Sequence, residues 1–331
     1  MTLRSVLTRF GLCLAGAVVA TAAGAPVWAA DPFPNKEIRF IVPWNAAGSN
    51  DIAARSLAQL VAEQDNVRVI VENVPGATGS IGMSKVASAK PDGYTIGMGT
   101  SSTLALIAQK ISSLRNDQFV PIARVTIDPL VLLVPADSPH TTLDAFIADL
   151  KKNPGKISIG TPGSNNLNHI FAAMTGRIAG VDVIAVPYTG GSKVIADLAG
   201  KQINAAVLKP SESKAQIDGG LVRPLGVFAN ERLKALPNVP TFKERGYDVF
   251  PYGPLVQMAY IVAPAGIPQP ELDRLTAIFS KAIQSSKFKA MAEEGGAVVD
   301  NLTGAALARE IDNVQKSLNE VGTKVFVSEK K

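Results

Sequence analysis

The chain is poor in the residues that perform covalent and metal chemistry. Its 331 residues include one cysteine, Cys13, and two histidines, His140 and His169. A lone cysteine excludes an internal disulfide, and two distant histidines offer no zinc-type pair. There is no GK[ST] phosphate loop and no G-x-S-x-G nucleophile elbow. The glycines of Gly76-Ala77-Thr78-Gly79-Ser80-Ile81-Gly82 stand three apart, which is not the dinucleotide pattern. No Lys/Arg block with interleaved aromatics exists, and aromatics are 6% of residues, so nucleic acid is not an expected partner. Beyond residue 30 no apolar run approaches the length of a membrane helix.

The N-terminus is a separate region. Arg4 and Arg9 precede an apolar stretch, Phe10–Ala23, and Val27-Trp28-Ala29 supplies small residues at a cleavage position. This is the pattern of a secretory signal cut near Ala29 or Ala30. An uncleaved membrane anchor is the alternative. Cys13 lies inside this region behind Leu12, which is too large for a lipoprotein cleavage site. Cleavage removes two arginines and no acid, so the formal charge of +5 becomes +3. Export without disulfides suits a Gram-negative periplasm.

Apolar residues make up 47% and charged residues 18% of the chain, the balance of a protein with a sizeable core. Ile38–Val42 reads as a strand and ends in Trp44-Asn45-Ala46-Ala47-Gly48-Ser49-Asn50, before a helix that opens near Asp51. Backbone N–H groups at a helix start have no partner within the helix and point into the preceding loop, which suits them to an anion. The same device recurs at Asn73–Gly79 before Ser80, at Gly99–Ser102, at Thr161–Asn166 before His169, and at Pro187–Ser192. Alternating strands and helices predict an α/β protein with mainly parallel sheets, whose ligands bind at the carboxyl ends of strands. The loops carry Ser49, Thr78, Ser80, Thr100, Ser101, Thr161, Ser164, Thr189 and Ser192. These hydroxyls either cap helices or converge on carboxylate oxygens. For His169, a ligand hydrogen bond and helix-start packing remain equal readings.

The segments FPNKEIRFIVPWNAAGSNDIAAR, VIVENVPGATGSIG, PDGYTIGMGT, NPGKISIGTPGS, VPYTGGSKVIADLAGKQI, LPNVPTFKERGYDV and VAPAGIPQPELDRL follow one another in fixed order. In this the chain resembles the periplasmic substrate-binding component of tripartite tricarboxylate transporters, the Bug or TctC type. The resemblance implies a two-lobed periplasmic-binding-protein type II fold that closes by hinge motion, with residues 31–127 and 253–331 in lobe 1 and 128–252 in lobe 2. It implies no catalysis, no cofactor and no metal. The ligand would be a small organic carboxylate, delivered to membrane permease subunits. The first lobe would hold it through Trp44, Asn45, Ala46, Ala47, Ser49, Asn50, Asp51, Ala77, Gly79, Ser80, Thr100 and Ser101. The second lobe would supply Thr161, Ser164, Asn166, His169, Thr189 and Gly190.

Three departures from the family pattern stand out. Ala47-Gly48 replaces a Gly-Gly pair, and Asn45 replaces a proline. Val207-Leu208-Lys209 replaces a Phe-Asp-Asn-like segment, so an acid becomes leucine and a lysine follows. Loss of that acid disfavours an amino-acid ligand, and Lys209 becomes a candidate partner for a second carboxylate. The favoured ligand is therefore a dicarboxylate, aliphatic or aromatic. Trp44, Phe171 and Tyr188 are candidate walls of an aromatic slot. Finally, Phe250–Tyr260 replaces a short Trp-Gly segment and is expected to reshape the cleft mouth. A ligand-presenting sensory protein and a periplasmic enzyme on the same fold are the rival readings.

Overall fold

The computed structural model describes residues 33–325; the signal-type region lies outside the described residues. The chain first runs through β1 (Ile38–Val42), α1 (Ser49–Asp65), β2 (Val69–Asn73), α2 (Ser80–Ala87), β3 (Thr95–Thr100), α3 (Ser101–Ala108) and β4 (Phe119–Ile127). It then forms β5 (Leu130–Pro135), α4 (Leu143–Lys152), β6 (Ser158–Thr161), α5 (Leu167–Ala179), β7 (Ile184–Pro187), α6 (Gly191–Ala199), β8 (Ala205–Leu208), α7 (Pro210–Asp218) and β9 (Val222–Phe228). It ends with β10 (Met258–Pro264), α8 (Gln269–Gln284), α9 (Ser286–Glu294) and α10 (Gly304–Val325).

Two five-stranded sheets result, ordered β2-β1-β3-β10-β4 and β7-β6-β8-β5-β9. In the first, β1 pairs in parallel with β2 and β3, whereas β10 is antiparallel to β3 and β4. In the second, β6 is parallel to β7 and β8, whereas β5 is antiparallel to β8 and β9. The expectation of mainly parallel sheets is thus corrected to mixed ones. The physical reason lies in two crossings. After β4 the chain passes through Asp128-Pro129 into the second sheet as β5, and after β9 it returns as β10. Each returning strand slots between two others and runs against them.

Both faces of each sheet are covered, so central strands read as continuous apolar runs. Phe40 meets Phe279 of α8 edge-on at 5.9 Å, while neighbouring Ile41 belongs to the cluster of Met83, Val86 and Leu104 from α2 and α3. Strand β5 alternates likewise. Leu132 and Val134 join Phe146 and Ile170 of α4 and α5, and Val131 and Leu133 join Val194 and Leu198 of α6. Helix α5 also packs against α3 and α10, so apolar contact continues from one lobe to the other.

Candidate functional site

A cavity of about 320 Å³ lies where loops from both lobes meet. Five helix starts border it: Ser49 and Asn50 of α1, Thr100 and Ser102 at α3, Asn166 and Asn168 at α5, Gly190 to Ser192 at α6, and Lys209 with Glu212 at α7. Each start presents N–H groups without helical acceptors, and the aligned peptide dipoles favour negative charge in the space between them.

The α1 loop is braced from behind. Ala47 has φ +62°, a left-handed conformation costly for a residue with a side chain. The brace is Asp51, which is 3% exposed. Its Oδ2 accepts the Ala47 N–H at 2.9 Å and the Arg55 Nε–H at 3.0 Å, and its Oδ1 accepts from Asn73 Nδ2 at 2.9 Å. Asn73 Nδ2 also donates to the Trp44 carbonyl at 3.1 Å. Burial alone raises the pKa of Asp51, but Arg55, the Ala47 amide and Asn73 outweigh it and hold the carboxyl below its ordinary value. Asp51 therefore shapes the loop and does not line the cavity.

Several other expected residues have comparable places beside the site. Gly76, Ala77, Thr78 and Gly79 all have positive φ, and this tight turn packs under Trp44 with Gly79 against its ring. Ser80 is half-buried at the start of α2, with its Oγ enclosed by protein, and does not line the cavity. Ser101 Oγ donates to the Val256 carbonyl at 2.6 Å and accepts from the Met258 N–H at 3.2 Å, which ties α3 to β10. Thr161 Oγ1 donates to the Gly163 carbonyl at 2.7 Å. His169 Nδ1 accepts the Asn165 N–H at 3.0 Å, so His169 holds the α5 loop rather than bordering the cavity. Ser164 also lies off the lining.

The cavity does bring together Trp44, Asn45, Ala46, Ala47, Ser49, Asn50, Thr100, Asn166, Thr189, Gly190 and Lys209. Two hydrogen bonds cross between lobes here. Asn45 Nδ2 donates to the Thr189 carbonyl at 3.3 Å, and Lys209 Nζ donates to Ser49 Oγ at 3.2 Å. The Trp44 indole Nε1 is buried and has no acceptor among the described residues. Of the suggested aromatic slot, only Trp44 reaches the cavity; Phe171 and Tyr188 pack in the cores of their lobe.

Lys209 is 6% exposed and is not alone. Its Nζ lies 3.8 Å from Asp128 Oδ2, on the first crossing, and Asp128 also accepts from Thr126 Oγ1 at 2.8 Å. Glu212 Oε2 accepts the Lys209 N–H at 3.4 Å. Glu212 opens to the cavity but protein surrounds its carboxyl, and this desolvation pushes its pKa up against the pull of Lys209. Leu208 is fully buried against α6, so the position expected to carry an acid points into core. The acid lost at Leu208 is not the whole account of charge here, because Asp128 and Glu212, which the sequence reading did not single out, stand beside the ammonium. No sequence pattern joined them, because they come from the crossing and from one helical turn beyond Lys209. Ser102, Asn168 and Gln257 were also missed as lining residues. Ser102 and Asn168 belong to the same small-polar loops that drew attention to their neighbours. Among the described residues, no group of three His, Asp or Glu side chains is placed to hold a metal.

Paired five-stranded mixed sheets, joined by two crossings with a polar cavity between their loops, define a two-lobed periplasmic binding protein of type II. Residues 53–322 match the model of the tripartite tricarboxylate transporter family receptor. The chain belongs to that family. A UPF0065 protein of Bordetella pertussis is 33% identical over 295 residues, which is 88% of this chain and 90% of the relative. BugT of the same bacterium is 29% identical over 95% of this chain and 98% of its own. Among solved structures, the periplasmic binding protein BugD aligns with a TM-score of 0.81 at 28% identity, covering 89% of this chain and 99% of BugD. MatC from Rhodopseudomonas palustris, solved with bound malate, aligns with a TM-score of 0.80 at 25% identity, covering 88% of this chain and 100% of MatC.

Proposed function

We propose that the cavity captures a small organic dicarboxylate, unchanged chemically, in the periplasm and presents it to the permease subunits of a tripartite tricarboxylate-type transporter. The observation that carries this reading is the convergence of five helix starts on one cleft, with the Lys209 ammonium contributed by the second lobe. One ligand carboxylate would accept N–H groups of Ser49 and Asn50 together with the Thr100 and Ser102 hydroxyls. The second would meet Lys209 Nζ in place of Ser49 Oγ. Oriented dipoles in a space closed to water hold an anion more strongly than they do in solution. Malate in MatC supports the ligand class.

Lobe 1 is taken as residues 31–127 and 253–331, and lobe 2 as 128–252; the membership of the two sheets supports this division. Ligand contacts to both lobes would favour the closed arrangement over an open one, with Asp128-Pro129 and the 229–257 segment as the places that bend. A family of exported receptors and a signal-type N-terminus support cleavage near Ala29 or Ala30.

A thermal-shift screen of the purified protein against mono-, di- and tricarboxylates and amino acids tests the ligand class. A ligand at a hundredfold excess over Kd adds about 2.7 kcal/mol to stability. The expected result is a clear shift with one dicarboxylate. Shifts confined to amino acids would overturn the dicarboxylate and assign Asp128 and Glu212 to an ammonium.

A further inference from the structure

Behind the polar cavity lies a second one of about 390 Å³ with a different character. Its walls come from both crossings. Pro129 belongs to the first, and Phe250 and Leu255 belong to the segment that departs from the family pattern. Phe171 of α5 and Phe228 at the end of β9 complete an aromatic wall. Phe171 stacks on Phe228 with centroids 4.6 Å apart, and Phe250 meets Phe171 edge-on at 5.8 Å. Such walls favour a ring, which can extend the stacked and edge-on set.

Two polar residues line this largely apolar space, Asn230 on its exposed rim and Gln257 in the interior. Gln257 borders both cavities, is 6% exposed, and its Oε1 is buried with no hydrogen-bond partner among the described residues. Most buried acceptors in native proteins are satisfied, by protein, by ordered water or by a bound molecule. The Gln257 main chain is already used, since its carbonyl accepts the Asp128 N–H at 2.8 Å. That bond joins the two crossings into one ribbon between the cavities. An occupant of the second cavity is therefore separated from the carboxylate site by this ribbon.

We propose that this cavity is a second ligand site, taking a small aromatic molecule that bears one hydrogen-bond donor, with the ring against Phe171 and Phe250 and the donor on Gln257 Oε1. The site is independent of the carboxylate reading, because none of its aromatic walls borders the first cavity. It sits on the two segments that connect the lobes, so its occupant contacts the very chain that bending would move.

Calorimetric titration of the purified protein with p-cresol, and with toluene as the donor-free control, tests the site without any carboxylate present. One saturable p-cresol site per chain is expected. Gln257→Leu should weaken p-cresol roughly tenfold, the size of one lost neutral hydrogen bond, and leave toluene unchanged. Ala229→Phe, which fills the cavity from its half-exposed rim, should remove binding of both. The unfolding temperature of each variant without ligand, within a few degrees of the parent, controls for folding. Absence of saturable binding, or equal p-cresol affinity in Gln257→Leu, overturns the proposal. Loss of p-cresol binding in Lys209→Met would place the molecule in the polar cavity and overturn it as well.

Discussion

Lys209 Nζ and Ser49 Oγ lie 3.2 Å apart although 160 positions separate them in the chain. The contact joins the N-terminal cap of α7 in one lobe to the first turn of α1 in the other. It also places a buried cation where a ligand's far end would reach. With Asp128 at 3.8 Å, the ammonium is paired before any ligand arrives. A second carboxylate must therefore compete with Ser49 and share Lys209 with Asp128.

Lys209→Met should weaken the dicarboxylate found in the screen by about ten- to hundredfold, the value of a charged hydrogen bond lost from a dry site. A monocarboxylate should lose much less. Removing the cation also leaves Asp128 buried and unpaired, which costs about 3–5 kcal/mol. Lys209→Met combined with Asp128→Asn should regain most of that stability in urea unfolding without regaining dicarboxylate affinity. Recovery of both would mean that Lys209 serves only Asp128.

Asp51→Asn should destabilise the protein by about 1–3 kcal/mol, because the Ala47 N–H and the Arg55 guanidinium lose a charged acceptor. The sign of its pH dependence follows from a folded-state pKa below the ordinary 3.8. The unfolded chain takes up the proton first as pH falls. The stabilisation is fully present above the unfolded value and is lost as pH drops through it toward the depressed folded value. Urea unfolding between about pH 5 and pH 2 should therefore show a shallower decline in Asp51→Asn than in the parent.

Glu212 predicts the opposite slope. Its folded-state pKa is raised above the ordinary 4.5. The folded protein holds the proton longer, so stability falls as pH rises through the unfolded value and levels off above the folded one. Glu212→Gln should remove this component, and at pH 7 the variant should be at least as stable as the parent. A loss of more than about 1 kcal/mol at pH 7 would mean that the ionised carboxyl contributes net stability beside Lys209.

Gly82→Ala tests whether the α1 loop depends on packing behind it. A Cβ at Gly82 would stand 2.7 Å from the Val74 carbonyl oxygen and 2.7 Å from Pro43 Cβ. One is backbone just past β2 and the other a proline ring carbon just past β1, whose own Cα would be only 2.8 Å away, so α2 must shift. The expected cost is about 1–3 kcal/mol, with weaker carboxylate binding because Pro43 leads directly into Trp44 and Asn45. Full affinity in a destabilised variant would show that the loop holds its shape without this contact.

The local elements were legible because the signals were local. Ile38–Val42 forms the strand expected of it, α2 opens at Ser80, and α1 opens at Ser49, two residues before the expected Asp51. The site was legible only in part. The loops that follow parallel strands could be read from Gly, Ser, Thr and Asn alone, and most of them reach the cavity. What a residue does within such a loop was not readable. Asp51 and Asn45 lie six positions apart and differ in role because one turns back to brace Ala47 and the other crosses to Thr189. The antiparallel strands β5 and β10 were equally hidden, since direction depends on where the chain re-enters a sheet and not on its side chains. Asp128 escaped notice for the same reason, being placed beside Lys209 by the crossing.

The order of strands in the first sheet also sets a schedule for its making. Sheet β7-β6-β8-β5-β9 is contiguous in the chain, and all its strands exist once residue 228 has been synthesised. Sheet β2-β1-β3-β10-β4 is not, for its fourth position waits for Met258–Pro264. Until then β3 and β4 each present an unpaired edge, and pairing β10 with β4 closes a loop over the whole of residues 128–257. Closing so long a loop is entropically costly and slow. The half of the protein that is begun first is thus the half completed last, and a chain truncated after β9 would lack an interior strand rather than an outer one.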